Sequence, residues 1–188
     1  GPGQSEEADL QRAIRRELDN KDHYLKLGDL YRREGKHEPA AQMYQKALEI
    51  SGGDSSIREQ LEDTELDFMR KNLTTAKEQL GNGGDAAKQQ YEELKRELRL
   101  REMEVLRGRV ERYPSNLQHK YSLAELNMQE KKYGEAIQLF QQASQDSRLE
   151  TKSLYNMGLC FIQEKKYPLA RRQLEKAIPK LNAHDHKD

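Results

Sequence analysis

Large and small apolar positions recur along this chain in a fixed order, separated by polar runs. Tyr24, Leu27, Gly28 and Tyr31 are followed by Ala40, Tyr44 and Ala47. The same offsets return as Leu154, Met157, Gly158, Phe161, Ala170, Leu174 and Ala177, and more loosely as Lys120, Leu123, Ala124, Asn127, Ala136, Phe140 and Ala143. Steps of three and four residues predict one apolar face of a helix, and a small residue among large ones lets another helix come close there. Each set therefore predicts two helices. Between the first two, Arg33-Glu-Gly-Lys-His37 supplies the break, with Gly35 suited to the left-handed residue that ends a helix. The later sets break at Gln129-Glu-Lys-Lys-Tyr133 and Gln163-Glu-Lys-Lys-Tyr167, equivalent polar runs without glycine. An antiparallel pair of this kind cannot bury its apolar face alone and must stack on a neighbour.

Gly158 lies 34 residues after Ala124, the period of a helix-turn-helix solenoid. On these residues the chain resembles the tetratricopeptide repeat (TPR) family, over about 102 of its 188 residues. The resemblance implies an all-α fold, a right-handed antiparallel helix-pair solenoid, and protein binding rather than catalysis.

Following the period along the chain predicts its organisation. Residues 1–3, Gly-Pro-Gly, read as an expression scar. In 4–20, Leu10, Ala13 and Ile14 hold the places of Tyr44, Ala47 and Leu48, so this segment is expected to be the second helix of a truncated repeat. Complete units are expected at 21–54, 117–150 and 151–182, and a polar tail at 183–188. On the last helix Leu174, Ile178 and Leu181 form an apolar stripe that no later helix in this sequence covers. Continuation of the native chain and contact with a partner are both open readings of that edge.

The unit at 55–116 breaks the pattern. Leu61 falls one period after Leu27, but Glu62 and Glu65 follow it, and Thr74, Glu78 and Gly81 replace the second-helix signature. Gly28 and Ala124 are 96 residues apart, 28 more than two periods, which is about four helical turns added to each of two helices. Ser56-Ile-Arg-Glu59 reads as a capping box, Gly81-Asn-Gly-Gly84 as the next break, and Asp85 as the following cap. Two long helices at about 56–80 and 85–112 are expected, forming a protruding hairpin. Across it Phe68, Met69, Leu73, Ala76 and Leu80 would face Ala87, Tyr91, Leu94 and Leu98. Three readings stay open for this arm: a plain hairpin, self-association (including exchange at the glycine-rich turn), and a foreign-partner site.

Composition narrows the function. Charged residues make up 35% of the chain with a net charge of zero, which gives no basic footprint for nucleic acid. No run approaches a membrane span and no signal-peptide core is present, so a soluble, cytoplasmic protein is expected. The single cysteine, Cys160, sits beside Phe161 and reads as a buried small hydrophobe. No phosphate loop, histidine pair on one helical turn, or nucleophile elbow is present, and His184-Asp-His186 reads as polar tail rather than a metal site. No enzyme activity, cofactor or metal is expected.

In the resembled family the first helices line a concave groove for a peptide or partner helix. Carried over by position, that implies Lys26, Arg33, Tyr121, Glu125, Met128, Lys152, Tyr155, Asn156 and Leu159 as groove residues. Some members hold an acidic C-terminus in a clamp of Lys, Asn and Arg. Here Leu25 and Asp29, and then Tyr121 and Glu125, stand at the clamp places, and only Asn156 matches by type. Asp29 and Glu125 would repel a carboxylate, so a mixed apolar and charged peptide fits better. The expected function is a non-catalytic binding scaffold. A module self-assembling as a homodimer through the arm or solenoid ends, and an accessory domain of a larger enzyme or regulatory protein, remain as alternatives.

Overall fold

The computed structural model describes the backbone of residues 1–187, and the side chains of residue 1 and residues 4–179. Among the described residues the fold is all-α, of the helix-pair solenoid class: α1 Pro2–Arg16, α2 Lys21–Arg33, α3 His37–Ser51, α4 Ser55–Glu78, α5 Gly84–Arg112, α6 Leu117–Gln129, α7 Tyr133–Ala143, α8 Glu150–Gln163 and α9 Tyr167–Lys187. They form two compact units, residues 1–98 and 99–188, and α5 passes from one into the other.

In the first unit α1 packs on α2, α2 on α3 and α3 on α4. The core is built from the recurring residues: Tyr24, Leu27, Tyr31, Ala40, Tyr44 and Ala47, closed on one side by Ile57 and Leu61 of α4 and on the other by Leu10 and Ile14 of α1. The pair α2–α3 depends on a single close approach. A Cβ added at Gly28 would stand 2.8 Å from Cε1 of Tyr44, so only glycine admits the buried ring. Arg32 of α2 adds an ion pair to Asp67 of α4 at 3.0 Å.

The second unit repeats this construction. α6 packs on α7, α7 on α8 and α8 on α9 around Tyr121, Ala124, Phe140, Met157, Cys160 and Ala177. At Gly158 an added Cβ would meet Cγ of Leu174 at 2.6 Å, the counterpart of the Gly28–Tyr44 contact. Ala124 and Phe140 hold the same places in the α6–α7 pair, and both are fully buried. Met103 of α5 packs with Leu123 and Leu126 of α6, and Arg99 meets Glu130 at 2.8 Å.

All three helix pairs turn in the same way. The N–H of Lys36 donates to the Tyr31 carbonyl and that of Gly35 to Arg32, at 2.8 and 3.1 Å. Lys132 and Lys131 repeat this onto Asn127 and Met128, as do Lys166 and Lys165 onto Phe161 and Ile162. This double hydrogen bond closes a helix only when its penultimate residue is left-handed. Gly35 has φ of 76°, but Lys131 and Lys165 are forced to 62° and 61°. A side chain in that region costs about 1 kcal/mol, which the repeat tolerates twice.

Several helix ends differ from the sequence expectation. The cap of α4 is Asp54, whose Oδ1 accepts the Ile57 N–H at 3.1 Å, so the helix starts ahead of the expected box at Ser56. Ser51 helps by accepting the Asp54 N–H. Asp85 is not a cap: α5 begins at Gly84, where φ is 61°, and Asp85 lies in its first turn. α1 starts at Pro2, and α9 continues as backbone helix through the expected tail to Lys187.

Two stability changes follow. Lys131→Gly should raise unfolding stability in urea by about 0.5–1 kcal/mol, because it relieves the left-handed side chain. Gly28→Ala should lower it by about 1–3 kcal/mol through the clash with Tyr44, although alanine is the better helix former. A neutral or stabilising Gly28→Ala would show that the close approach is not required.

Candidate partner-binding surface

The expected groove residues separate into committed and available side chains. Tyr121 is committed. It is 5% exposed, its ring meets the edge of Phe140 at 5.4 Å, and the Lys152 ammonium lies 4.4 Å from the ring centroid. Asn156 Nδ2 donates to the Tyr121 hydroxyl at 3.0 Å. Burial, reinforced by the nearby Glu125 carboxylate, pushes the phenol up to about 12. Tyr121 therefore joins α6 to α8 instead of offering a free anchor, and Asn156 is spent on the same contact. Around this joint Glu125 and Lys152 stay exposed, with Met128 and Leu159 half-buried. Tyr155 is 46% exposed.

In the first unit Lys26 is exposed and lines a cleft of about 610 Å³ between α1 and α2, with Glu6, Asp9, Leu10, Ala13 and His23. Arg33, although exposed, reaches Glu6 of α1 at 3.4 Å. Asp29, noted as hostile to a carboxylate ligand, accepts the Tyr44 hydroxyl and helps burial raise that phenol's pKa. The contact was missed in sequence because the two residues stand on different helices, with no motif to join them.

On the long helices, Phe68 and Met69 line a cleft of about 360 Å³ with Ala41 of α3, and the Phe68 ring lies 5.8 Å from that of His37. Phe68 thus meets α3, a contact the hairpin expectation did not include. From 70 to 97 the side chains withdrawn from solvent are Leu73, Ala76, Leu80, Ala87, Tyr91 and Leu94, and Leu98 continues the series.

At the other edge, Leu174 does not belong to an uncovered stripe. It is half-buried because it fills the space over Gly158, whereas Ile178 is 53% exposed. The side chains of Leu181, His184 and His186 lie outside the described residues. Cys160 is fully buried, and burial raises its thiol to about 11, away from the reactive range. Among the described residues there is no cluster of His, Cys, Asp and Glu that could hold a metal, and no helix long and apolar enough to cross a membrane.

The profile of a family described as tetratricopeptide repeat matches residues 7–55 and 104–148, together half of the chain. Among solved structures, MamA is similar with a TM-score of 0.53 at 14% identity, covering 94% of this chain and 87% of that one. A MamA chain from Desulfovibrio magneticus RS-1 gives 0.52 at 14% identity, over 98% and 89%. YrrB, described as a TPR protein with an unusual peptide-binding site, gives 0.53 at 17% identity, over 95% and 98%. These identities establish likeness of fold. Among curated proteins, none matches the chain by sequence.

Three raised phenols, Tyr31 through burial and its hydrogen bond to Glu7 as well as Tyr44 and Tyr121, make stability depend on alkaline pH, the last two carrying the larger shifts. Tyr44 and Tyr121 hold their protons above the ordinary value of 10 when folded, so their contribution is complete below pH 10 and is lost as pH rises through the folded values. In a titration followed by tyrosinate absorbance, these two of the nine tyrosines should ionise last and together with unfolding. Nine phenols titrating as one class near pH 10 in a folded protein would contradict the assignment.

Proposed function

The chain belongs to the tetratricopeptide repeat family, and on that basis we propose that it is a non-catalytic scaffold binding a peptide or helix of another protein along its first helices. The observation that carries this reading is the surface around Tyr121. Glu125 and Lys152, both exposed and of opposite charge, flank that ring, while Met128 and Leu159 add partly exposed apolar area and Tyr155 a larger ring. Charge on both sides of an apolar strip suits a ligand with an apolar anchor and charges of both signs. The fold shared with YrrB, whose description includes a peptide-binding site, supports the same reading.

A displayed library of random twelve-residue peptides, selected on the intact chain, tests it. Enriched peptides should lose at least about tenfold in affinity on Glu125→Lys or Lys152→Glu, a size set by removing one charge partner at a binding surface. Peptides that bind both variants as well as the parent would remove the groove reading.

A second reading is favoured by one observation on the long helices. The withdrawn residues Leu73, Ala76 and Leu80, and Ala87, Tyr91, Leu94 and Leu98, fall at steps of three and four on each side of the break between α4 and α5. That is the pattern of two helices pairing along a single seam. Such an arm, turning at Gly81-Asn-Gly-Gly84, is suited to exchange with a second copy. Light scattering coupled to size-exclusion chromatography should then show a dimer that is lost when residues 68–98 are deleted. A monomer at every concentration excludes self-association.

A further inference from the structure

We propose that Asn82, in the glycine-rich break between α4 and α5, is a modification site: its side-chain amide is lost spontaneously, leaving aspartate and isoaspartate. The reaction makes two demands. The residue that follows must lack a Cβ, so that its backbone nitrogen can reach the asparagine amide, and the backbone there must be free to bend toward it. The sequence meets the first demand once, since of seven asparagines Asn82 alone precedes a glycine.

The fold meets the second demand at the same residue. Asn72, Asn127 and Asn156 lie inside α4, α6 and α8, where the next N–H is taken up by the helical ladder. Asn20 and Asn116 cap α2 and α6, and their side-chain oxygens accept the N–H groups of Asp22 and His119 at 3.0 and 3.3 Å. Asn82 and Gly83 instead stand between Gln79, the C-cap of α4, and Gly84, where α5 begins, and both are exposed. Among the described residues no backbone carbonyl accepts the Gly83 N–H.

The atoms balance with water as the only co-reactant. The Gly83 nitrogen gives its proton to solvent and attacks Cγ of Asn82, and the side-chain nitrogen leaves as ammonia, which closes a succinimide ring. Water then opens the ring at either carbonyl. Breaking the new bond to Cγ restores the ordinary chain with aspartate; breaking the original peptide bond leaves the chain running through Cγ as isoaspartate. Either product puts a further carboxylate near Asp85 at the head of α5, in a chain whose net charge is zero. Isoaspartate also lengthens the backbone between Leu80 and Ala87, two residues withdrawn from solvent on either side of the break.

The test holds the intact folded chain for several weeks at physiological temperature and mildly alkaline pH, with isoelectric focusing and peptide mapping by mass spectrometry. An acidic species should accumulate, and the peptide carrying position 82 should gain the mass difference between an amide and an acid. It should separate into two products, one of which co-elutes with the same peptide from an Asn82→Asp variant. Conversion at Asn82 should run at least about tenfold faster than at Asn20, Asn72 or Asn116, because only there can the attacking nitrogen reach the amide. Asn82→Gln should remove the acidic species; it is a cleaner variant than Gly83→Ala, whose added Cβ would clash with that of Ala87. In guanidinium chloride, Asn82 should convert about as fast as in the folded chain. Three results would overturn the proposal: conversion no faster at Asn82 than at the other three, an aspartate product without isoaspartate, or a folded rate at least about tenfold below that in denaturant, which would mean that the turn holds the two groups apart.

Discussion

The structure depends on one contact made three times: a small residue on the first helix of a pair lies under a large residue sixteen positions later on the second. Gly28 lies under Tyr44, Ala124 under Phe140 and Gly158 under Leu174. The contact sets the distance between the helices, and with it which residues around it are buried. Where the large residue is tyrosine, its hydroxyl must find a partner, and Asp29 on the first helix supplies one. Where it is phenylalanine, the ring instead takes the edge contact with Tyr121. The size of the small residue and the polarity of the large one thus determine what each pair can offer at its surface.

This constraint was legible in the sequence because it is periodic and local. The helix pairs, the small residues and the left-handed turn at Gly35 all follow from spacing and residue type. Lys131 and Lys165 could be placed by the same spacing, but their strained backbone is imposed by the double hydrogen bond of the turn and not announced by lysine. Helix starts were less legible. Asp54 and Ser56 are both good caps, and the choice between them falls to the Ser51 hydroxyl that holds the Asp54 backbone.

The surface was least legible, for a physical reason. Tyr121 and Tyr155 are the same residue in the same register, yet one is buried and the other open, because exposure at this position is decided by the next helix and not by the helix that carries it. A positional argument treats the two alike as groove residues. Asn156 and Arg33 show the same limit, since each is drawn into a contact with a neighbouring helix. Leu174 was assigned to an open stripe although its register already made it the partner of Gly158.

Where the contact lapses, between Leu61 and Met103, the chain keeps its helices without the small-under-large pairing. Burial along 70–97 is confined to a thin stripe. Regions with few buried apolar groups open at lower free energy than the core they adjoin. The most direct test of the contact's central role is hydrogen exchange by mass spectrometry on the intact chain. The account predicts strong protection over 21–51 and 117–177, with amides of 70–97 exchanging at least about tenfold faster. Equal protection across 70–97 would contradict it, because those helices would then be held as firmly without the contact as the repeats are with it.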